Sequence, residues 1–208
     1  KEGIQTVIVG KPNAGKSSLL NLLAGHERAI VTDIAGTTRD VLEEQIRLQG
    51  LNLNVIDTAG IRQTEDLVEK MGVDKAKEYA QKADLIIYVV DASKKLDEND
   101  EKIMELIYDK KAIILLNKSD LKTVVDENLI REKISNLKKE AEQTEKSEGQ
   151  RYQVSENIPV IQISAKEEQG IQTFQDTLKE MFLRGNISFN EEIYITNARQ
   201  KNALVNAL

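Results

Sequence analysis

The sequence predicts an α/β fold: a doubly wound, mostly parallel sheet with one antiparallel edge strand, plus a short C-terminal helix. Three observations carry this reading. Short apolar runs recur along the chain, each followed by a polar or glycine-bearing loop; helix-period segments lie between most of them; and a glycine-rich loop joins the first run to the first helix. Val7 to Val9, Leu53 to Ile56, Leu85 to Val90, Ala112 to Leu116 and Val160 to Ile163 read as buried parallel strands. Ser18 to Ala24, Val73 to Gln81, Asp100 to Tyr108, Leu129 to Ala141 and Ile171 to Phe182 read as helices. Val41 to Leu48, Gln49-Gly50 and Leu51 to Asp57 read as an antiparallel hairpin, its first strand polar-mixed as an edge strand should be.

Residues 138–157 carry mixed charge and almost no apolar side chains, which suggests a helix end running into a surface insertion. Residues 1–185 are expected to form one domain. Residues 186–208 are expected to be a linker and the start of a separate helical segment, with Ala198, Leu204, Val205 and Leu208 to bury.

Composition narrows the function. The 208 residues include no cysteine, so disulfides, thiolate metal sites and cysteine nucleophiles are excluded. The formal net charge of −6, the 4% aromatic content and the absence of Trp argue against a nucleic-acid-gripping surface on this chain. No apolar stretch approaches the ~20 residues of a membrane span, and the expectation is a cytoplasmic protein without membrane contact. The first residue is Lys1 rather than Met, as in an excised fragment. The single histidine, His26, reads as a solvated turn residue after the first helix.

Residues 10 to 17, Gly-Lys-Pro-Asn-Ala-Gly-Lys-Ser, form a complete G-x-x-x-x-G-K-S phosphate loop between strand and helix. Gly10 and Gly15 let the backbone curl so that successive N–H groups, from Asn13 through Ala14, Gly15, Lys16, Ser17 and Ser18, face one anion. Lys16 reaches the β/γ-phosphates and serves catalysis, and the Ser17 hydroxyl ligates Mg²⁺. A loop that only turned the chain would need no Lys-Ser pair.

Asn117-Lys118-Ser119-Asp120 follows a strand at the carboxyl end, where open α/β sheets bind ligands. An ionised Asp only accepts hydrogen bonds, so Asp120 selects guanine, which offers adjacent donors at N1 and N2. Asn117 bonds the other base edge and neighbouring loops, the Lys118 stem lies over the ring, and Ser164-Ala165-Lys166 supplies a backbone N–H for the guanine O6. Asp57-Thr58-Ala59-Gly60 ends a strand, where Asp57 holds the water shell of Mg²⁺ and the Gly60 N–H faces the γ-phosphate. Thr38, in Gly36-Thr37-Thr38-Arg39-Asp40, closes over the metal only while that phosphate is present. Arg39 reads equally as a finger residue or a surface ion pair with Asp40 and Glu43.

With these motifs in order, the chain resembles the translation-factor-related small GTPases, with the Ras-like fold. Ile61 stands where Ras-like proteins place a water-orienting glutamine, so hydrolysis needs another group or is very slow. Blocks 10–21, 29–40, 57–62 and 68–72, together with Thr-Asn-Ala-Arg-Gln at 196–200, are most similar to the G domain of the MnmE (TrmE) family of tRNA-modification GTPases.

That resemblance implies K⁺-dependent hydrolysis of GTP to GDP. Asn13 matches the side chain that binds K⁺, with backbone carbonyls of the loop at Thr32, Ile34 and Thr37, and Glu69 matches the acid that orients the attacking water. It also implies a G-domain homodimer in the GTP state, and work with an MnmG-like partner on the wobble uridine of tRNA through segments outside this chain. Two rivals share the nucleotide motifs: a ribosome-assembly GTPase of the Der or Era type, and a slowly hydrolysing, GTP-gated interaction module.

Overall fold

The computed structural model describes residues 3–26, 44–56, 79–145 and 158–183. Strand β1 (Ile4–Val9) leads through the glycine-rich loop into helix α1 (Lys16–His26), followed by β2 (Glu44–Leu48), β3 (Leu51–Val55), β4 (Leu85–Asp91), α2 (Glu98–Ile107), β5 (Ala112–Asn117), α3 (Glu127–Glu145) and β6 (Val160–Gln162). Residues 79–82 are helical, and a last helix, α4, covers 171–183. His26, expected in a turn after the first helix, is instead the final residue of α1, which runs two residues past the apolar periodicity ending at Ala24. The expected strands and helices are all present where they fall on described residues. Among those residues the six strands form one sheet in the order β2-β3-β1-β4-β5-β6. All neighbours pair in parallel except β2 with β3, which is antiparallel.

The hairpin follows from local chemistry. Gln49 (φ 47°) and Gly50 (φ 84°) both take positive φ, the requirement of the two-residue turn whose twist matches the flanking strands. In β2 the burial alternates, with Glu44, Ile46 and Leu48 inward and Gln45 and Arg47 in solvent, so the edge strand has one wet face. By contrast β4 and β5 are buried at every position, which requires cover on both faces of the sheet. On one of these faces Val7, Val9, Ile86, Tyr88, Val90, Ile114 and Leu116 form a single cluster with Ile103, Met104 and Ile107 of α2 and Ile130 and Ile134 of α3. Truncating one of these core side chains to Ala costs about 2–5 kcal/mol.

Both helices on this face start with a side-chain cap. The Asp126 carboxylate accepts the Leu129 N–H at 2.9 Å. Asp97 and Asp100 form a reciprocal capping box, Asp97 accepting the Asp100 N–H and Asp100 accepting the Asp97 N–H. Helix α3 continues to Glu145, four residues past the apolar periodicity, with an Arg131–Glu127 pair one turn apart on its surface.

The chain divides into two compact units, Lys1–Ile171 and Gln172–Leu208. In the second, the described part is helix 172–183, where Phe174 and Leu178 are buried. The expected linker and terminal helix at 186–208, and residues 146–157 of the surface insertion, lie outside the described residues.

Candidate functional site

The carboxyl ends of β1, β4, β5 and β6 carry the site. After β1 the chain must reverse into α1 within a few residues, and it does so through positive φ at Gly10 (151°), Asn13 (59°) and Gly15 (100°). Neither glycine has room for a side chain: a Cβ on Gly10 would stand 2.3 Å from the Val89 carbonyl oxygen, and one on Gly15 would stand 2.1 Å from Asn117 Nδ2. The loop is closed by the Ala14 N–H on Lys11 O at 3.3 Å and opens α1 with the Leu19 N–H on Gly15 O at 2.9 Å.

Lys16, the first residue of α1, is buried and directs its ammonium back over the loop, donating to Gly10 O at 2.6 Å and Lys11 O at 2.8 Å. Those carbonyls fix where the cation stands. The first turn of α1 contains no acidic residue, unlike that of α2, which has Glu98, Asp100 and Glu101. The positive helix end is thus not neutralised by its own side chains. Asn13 and Ser18 are exposed beside it, Ala14 is buried and Ser17 is partly buried.

The second half of the site stands on β5 and β6. Asn117 ends β5, is 2% exposed, and uses both ends of its amide on loops: Nδ2 donates to Ala14 O at 2.8 Å and Oδ1 accepts the Ala165 N–H at 3.0 Å. Of the two tasks expected of Asn117, the bridging of neighbouring loops is the one its hydrogen bonds perform here. Lys118 has left-handed backbone (φ 65°), which turns the chain sharply at the carboxyl end of β5. The Ser164 hydroxyl donates to Asp120 Oδ1 at 2.6 Å and accepts the Glu167 N–H at 3.1 Å. The Ser164 bond holds the Asp120 carboxyl below the usual range. Asp120 is therefore ionised and acceptor-only at neutral pH, as base selection requires.

Two groups at this rim escaped the sequence reading. Asp91, at the end of β4, pairs in register with Asn117 and accepts the Lys118 ammonium at 2.6 Å and the Ser93 hydroxyl and N–H. Burial pushes its carboxyl up, but the Lys118 and Ser93 bonds outweigh this and leave it below the ordinary value. Lys11 forms ion pairs with Asp97 and Asp100 at the start of α2. The available signal for Asp91 was its place at the carboxyl end of a strand beside β5; for Lys11 there was none, since its partners are 86 and 89 residues away in the chain.

The structure therefore brings together Gly10, Asn13, Ala14, Gly15, Lys16, Ser17 and Ser18 with Asn117, Lys118, Asp120, Ser164, Ala165 and Lys166 at one end of the sheet. Thr32, Ile34, Thr37, Thr38, Arg39, Asp57, Gly60, Ile61 and Glu69 lie outside the described residues. The loop, closed to side chains at Gly10 and Gly15, and the start of α1 without acidic residues in its first turn suit a phosphate chain. Ser17 is the described member of the expected Mg²⁺ set and Asn13 of the expected K⁺ set.

A family model described as a 50S ribosome-binding GTPase matches residues 5–118. Over its whole length the chain is 57% identical to the tRNA modification GTPase MnmE of Lachnoclostridium phytofermentans and 47% identical to that of Clostridioides difficile. It spans 40% of the length of each. Among solved structures it is similar to Era of Aquifex aeolicus bound to GDP·AlF4⁻, with TM-score 0.51, 26% identity and coverage of 86% of this chain and 56% of that one. It is also similar in fold to the G domain of FeoB from T. maritima, with TM-score 0.51, 24% identity, and coverage of 85% and 97%.

Proposed function

The chain belongs to this GTPase family, and from that premise we propose that it is the G domain of a tRNA-modification GTPase of the MnmE kind, hydrolysing GTP to GDP and phosphate. The observation that carries the reading is the Lys16 ammonium seated on two loop carbonyls above a loop with no room for a Cβ at Gly10 or Gly15, with Asn117 joining that loop to the base-side loops. The identity to MnmE relatives across the whole chain supports the pathway assignment.

In this proposal the loop N–H groups from Asn13 to Ser18 hold the phosphates, with the Gly60 N–H at the γ-phosphate. Lys16 neutralises charge on the β/γ oxygens, while Ser17, Thr38 and, through water, Asp57 hold Mg²⁺. Asn13, with carbonyls of Thr32, Ile34 and Thr37, holds K⁺, which when bound supplies positive charge near the leaving oxygen. Glu69 positions the attacking water in place of the glutamine that Ile61 replaces. Asp120 reads guanine with Lys118 over the ring and a backbone donor from Ser164, Ala165 or Lys166. Two such domains pair in the GTP state, and an MnmG-like partner and tRNA engage segments beyond this chain, in the cytoplasm. Among the described residues no helix is long and apolar enough to cross a membrane.

GTP turnover in KCl against NaCl, at equal ionic strength and saturating Mg²⁺, tests this. A large rate increase in K⁺ alone, with dimer formation on a transition-state mimic of the γ-phosphate, supports it; equal rates and a monomer overturn the ion-gated part. Glu69→Ala is expected to lower turnover while leaving nucleotide affinity nearly intact, and equal rates would remove the water-positioning role of Glu69. The family description and the Era neighbour favour a second reading, a ribosome-assembly GTPase. GTP-dependent co-sedimentation with ribosomal subunits separates the two.

A further inference from the structure

The nucleotide mechanism leaves one charged cluster without a task. Lys11 follows Gly10 in the phosphate loop; its side chain is 18% exposed, and its ammonium lies 2.6 Å from Asp100 Oδ2 and 2.8 Å from Asp97 Oδ2. Asp100 is 1% exposed and has partners on both oxygens: it also accepts the Asp97 N–H at 2.9 Å and the hydroxyl of the fully buried Tyr88 at 2.7 Å. A buried carboxylate with one cationic partner is an expensive way to join a helix to a loop, since apolar side chains of similar volume do so at no desolvation cost. What an apolar contact lacks is direction. The ion pair fixes the Lys11 side chain, and the Lys11 carbonyl, on the same residue, is one of the two oxygens that orient Lys16.

We propose that Asp97 and Asp100, acting through Lys11, are positioning residues that hold the phosphate loop and Lys16 in the shape that receives a nucleoside di- or triphosphate. This couples the start of α2 to nucleotide affinity, and it rests on the GTP-binding reading above. Lys11 acts through backbone placement, because its ammonium is committed to the two carboxylates rather than to a phosphate.

The test uses the full chain and a fluorescent N-methylanthraniloyl-GDP probe, with equilibrium titration, dissociation rate and urea midpoint read on each variant. Lys11→Met is expected to raise the dissociation constant about tenfold, mainly through faster release. Lys11→Arg, which restores the pair, should return it to within about threefold of the parent. Asp97→Asn should weaken binding less, and the Lys11→Met/Asp97→Asn double variant should bind no worse than Lys11→Met alone, since both remove one interaction. An unchanged dissociation constant in Lys11→Met with a lower urea midpoint makes the cluster purely structural and overturns the proposal. Additive losses in the double variant also overturn it. A parent chain that fails to bind the probe overturns the GTP reading itself, and the inference with it.

Discussion

The Asn117 side-chain amide donates to the Ala14 carbonyl at 2.8 Å, a bond that spans 103 positions of sequence and joins the end of β5 to the middle of the phosphate loop. The same amide accepts from Ala165, so one side chain sets the separation of three loops. In the proposed function, that separation is the distance between the phosphates and the base.

Asn117→Ala therefore orphans the Ala14 carbonyl and the Ala165 N–H in a buried setting, each costing about 1–3 kcal/mol. Urea unfolding should show a loss of about 2–6 kcal/mol, and guanine nucleotide titration a loss of affinity at temperatures where the variant is still folded. A variant that keeps parental affinity would remove the spacing role.

Gly10→Ala meets the Val89 backbone, which cannot step aside, and it also imposes a side chain on φ 151°. The expected cost is about 3 kcal/mol or more, with loss of nucleotide binding. At Gly15 the obstacle is the Asn117 amide, so Gly15→Ala should cost less in folding but break the Asn117–Ala14 bond. Thermal melts and nucleotide titrations on the two variants distinguish a blocked backbone from a displaced side chain.

Asp120→Asn is expected to shift preference from GTP toward xanthosine triphosphate by about one to two powers of ten, because an amide donates to the C2 oxygen of xanthine where a carboxylate cannot. Competition between the two nucleotides reads the result, and unchanged guanine preference would remove the base-reading assignment.

Two titrations bound the stability profile. The Lys11 hydrogen bond is the largest influence on Asp97 and lowers its carboxyl below the ordinary 3.8. The contribution of Asp97 is therefore present above that value and lost as pH falls through the folded-state pKa. Burial, and then the Asp100 charge, push Tyr88 well above 10.0, so its contribution is present below 10.0 and lost as pH rises beyond it. Urea midpoints across pH 2 to 11 should fall at both ends, about 2 being the practical acid limit. Tyr88→Phe should flatten the alkaline arm, at a neutral-pH cost of about 1–3 kcal/mol for the Asp100 acceptor it strips.

Strand positions were legible because β4 and β5 are runs of apolar residues buried at every position, and the Gln49-Gly50 turn announces the only antiparallel pair among the described strands. The MnmE resemblance read from the motif blocks is borne out by relatives 57% and 47% identical over the whole chain. Phosphate-loop and base-side residues were legible because contiguous motifs encode them. The braces were not. Asp91 with Lys118, and Lys11 with Asp97 and Asp100, are ion pairs formed by strand order rather than by sequence spacing, and single aspartates at strand ends or helix starts look like ordinary turn and cap residues.

The six-residue ladder between β4 and β5, buried along its length, also orders events in time. Amide protons in that ladder are expected to exchange with solvent only through the largest opening of the domain, and the rim loops through smaller fluctuations. Asn117 is the last rung of the ladder, so in the proposed function the shelf for the base is kept in register by a ladder buried along its length. In that function a released nucleotide would leave behind a shelf already formed, and the next one would meet it without waiting for that part to refold.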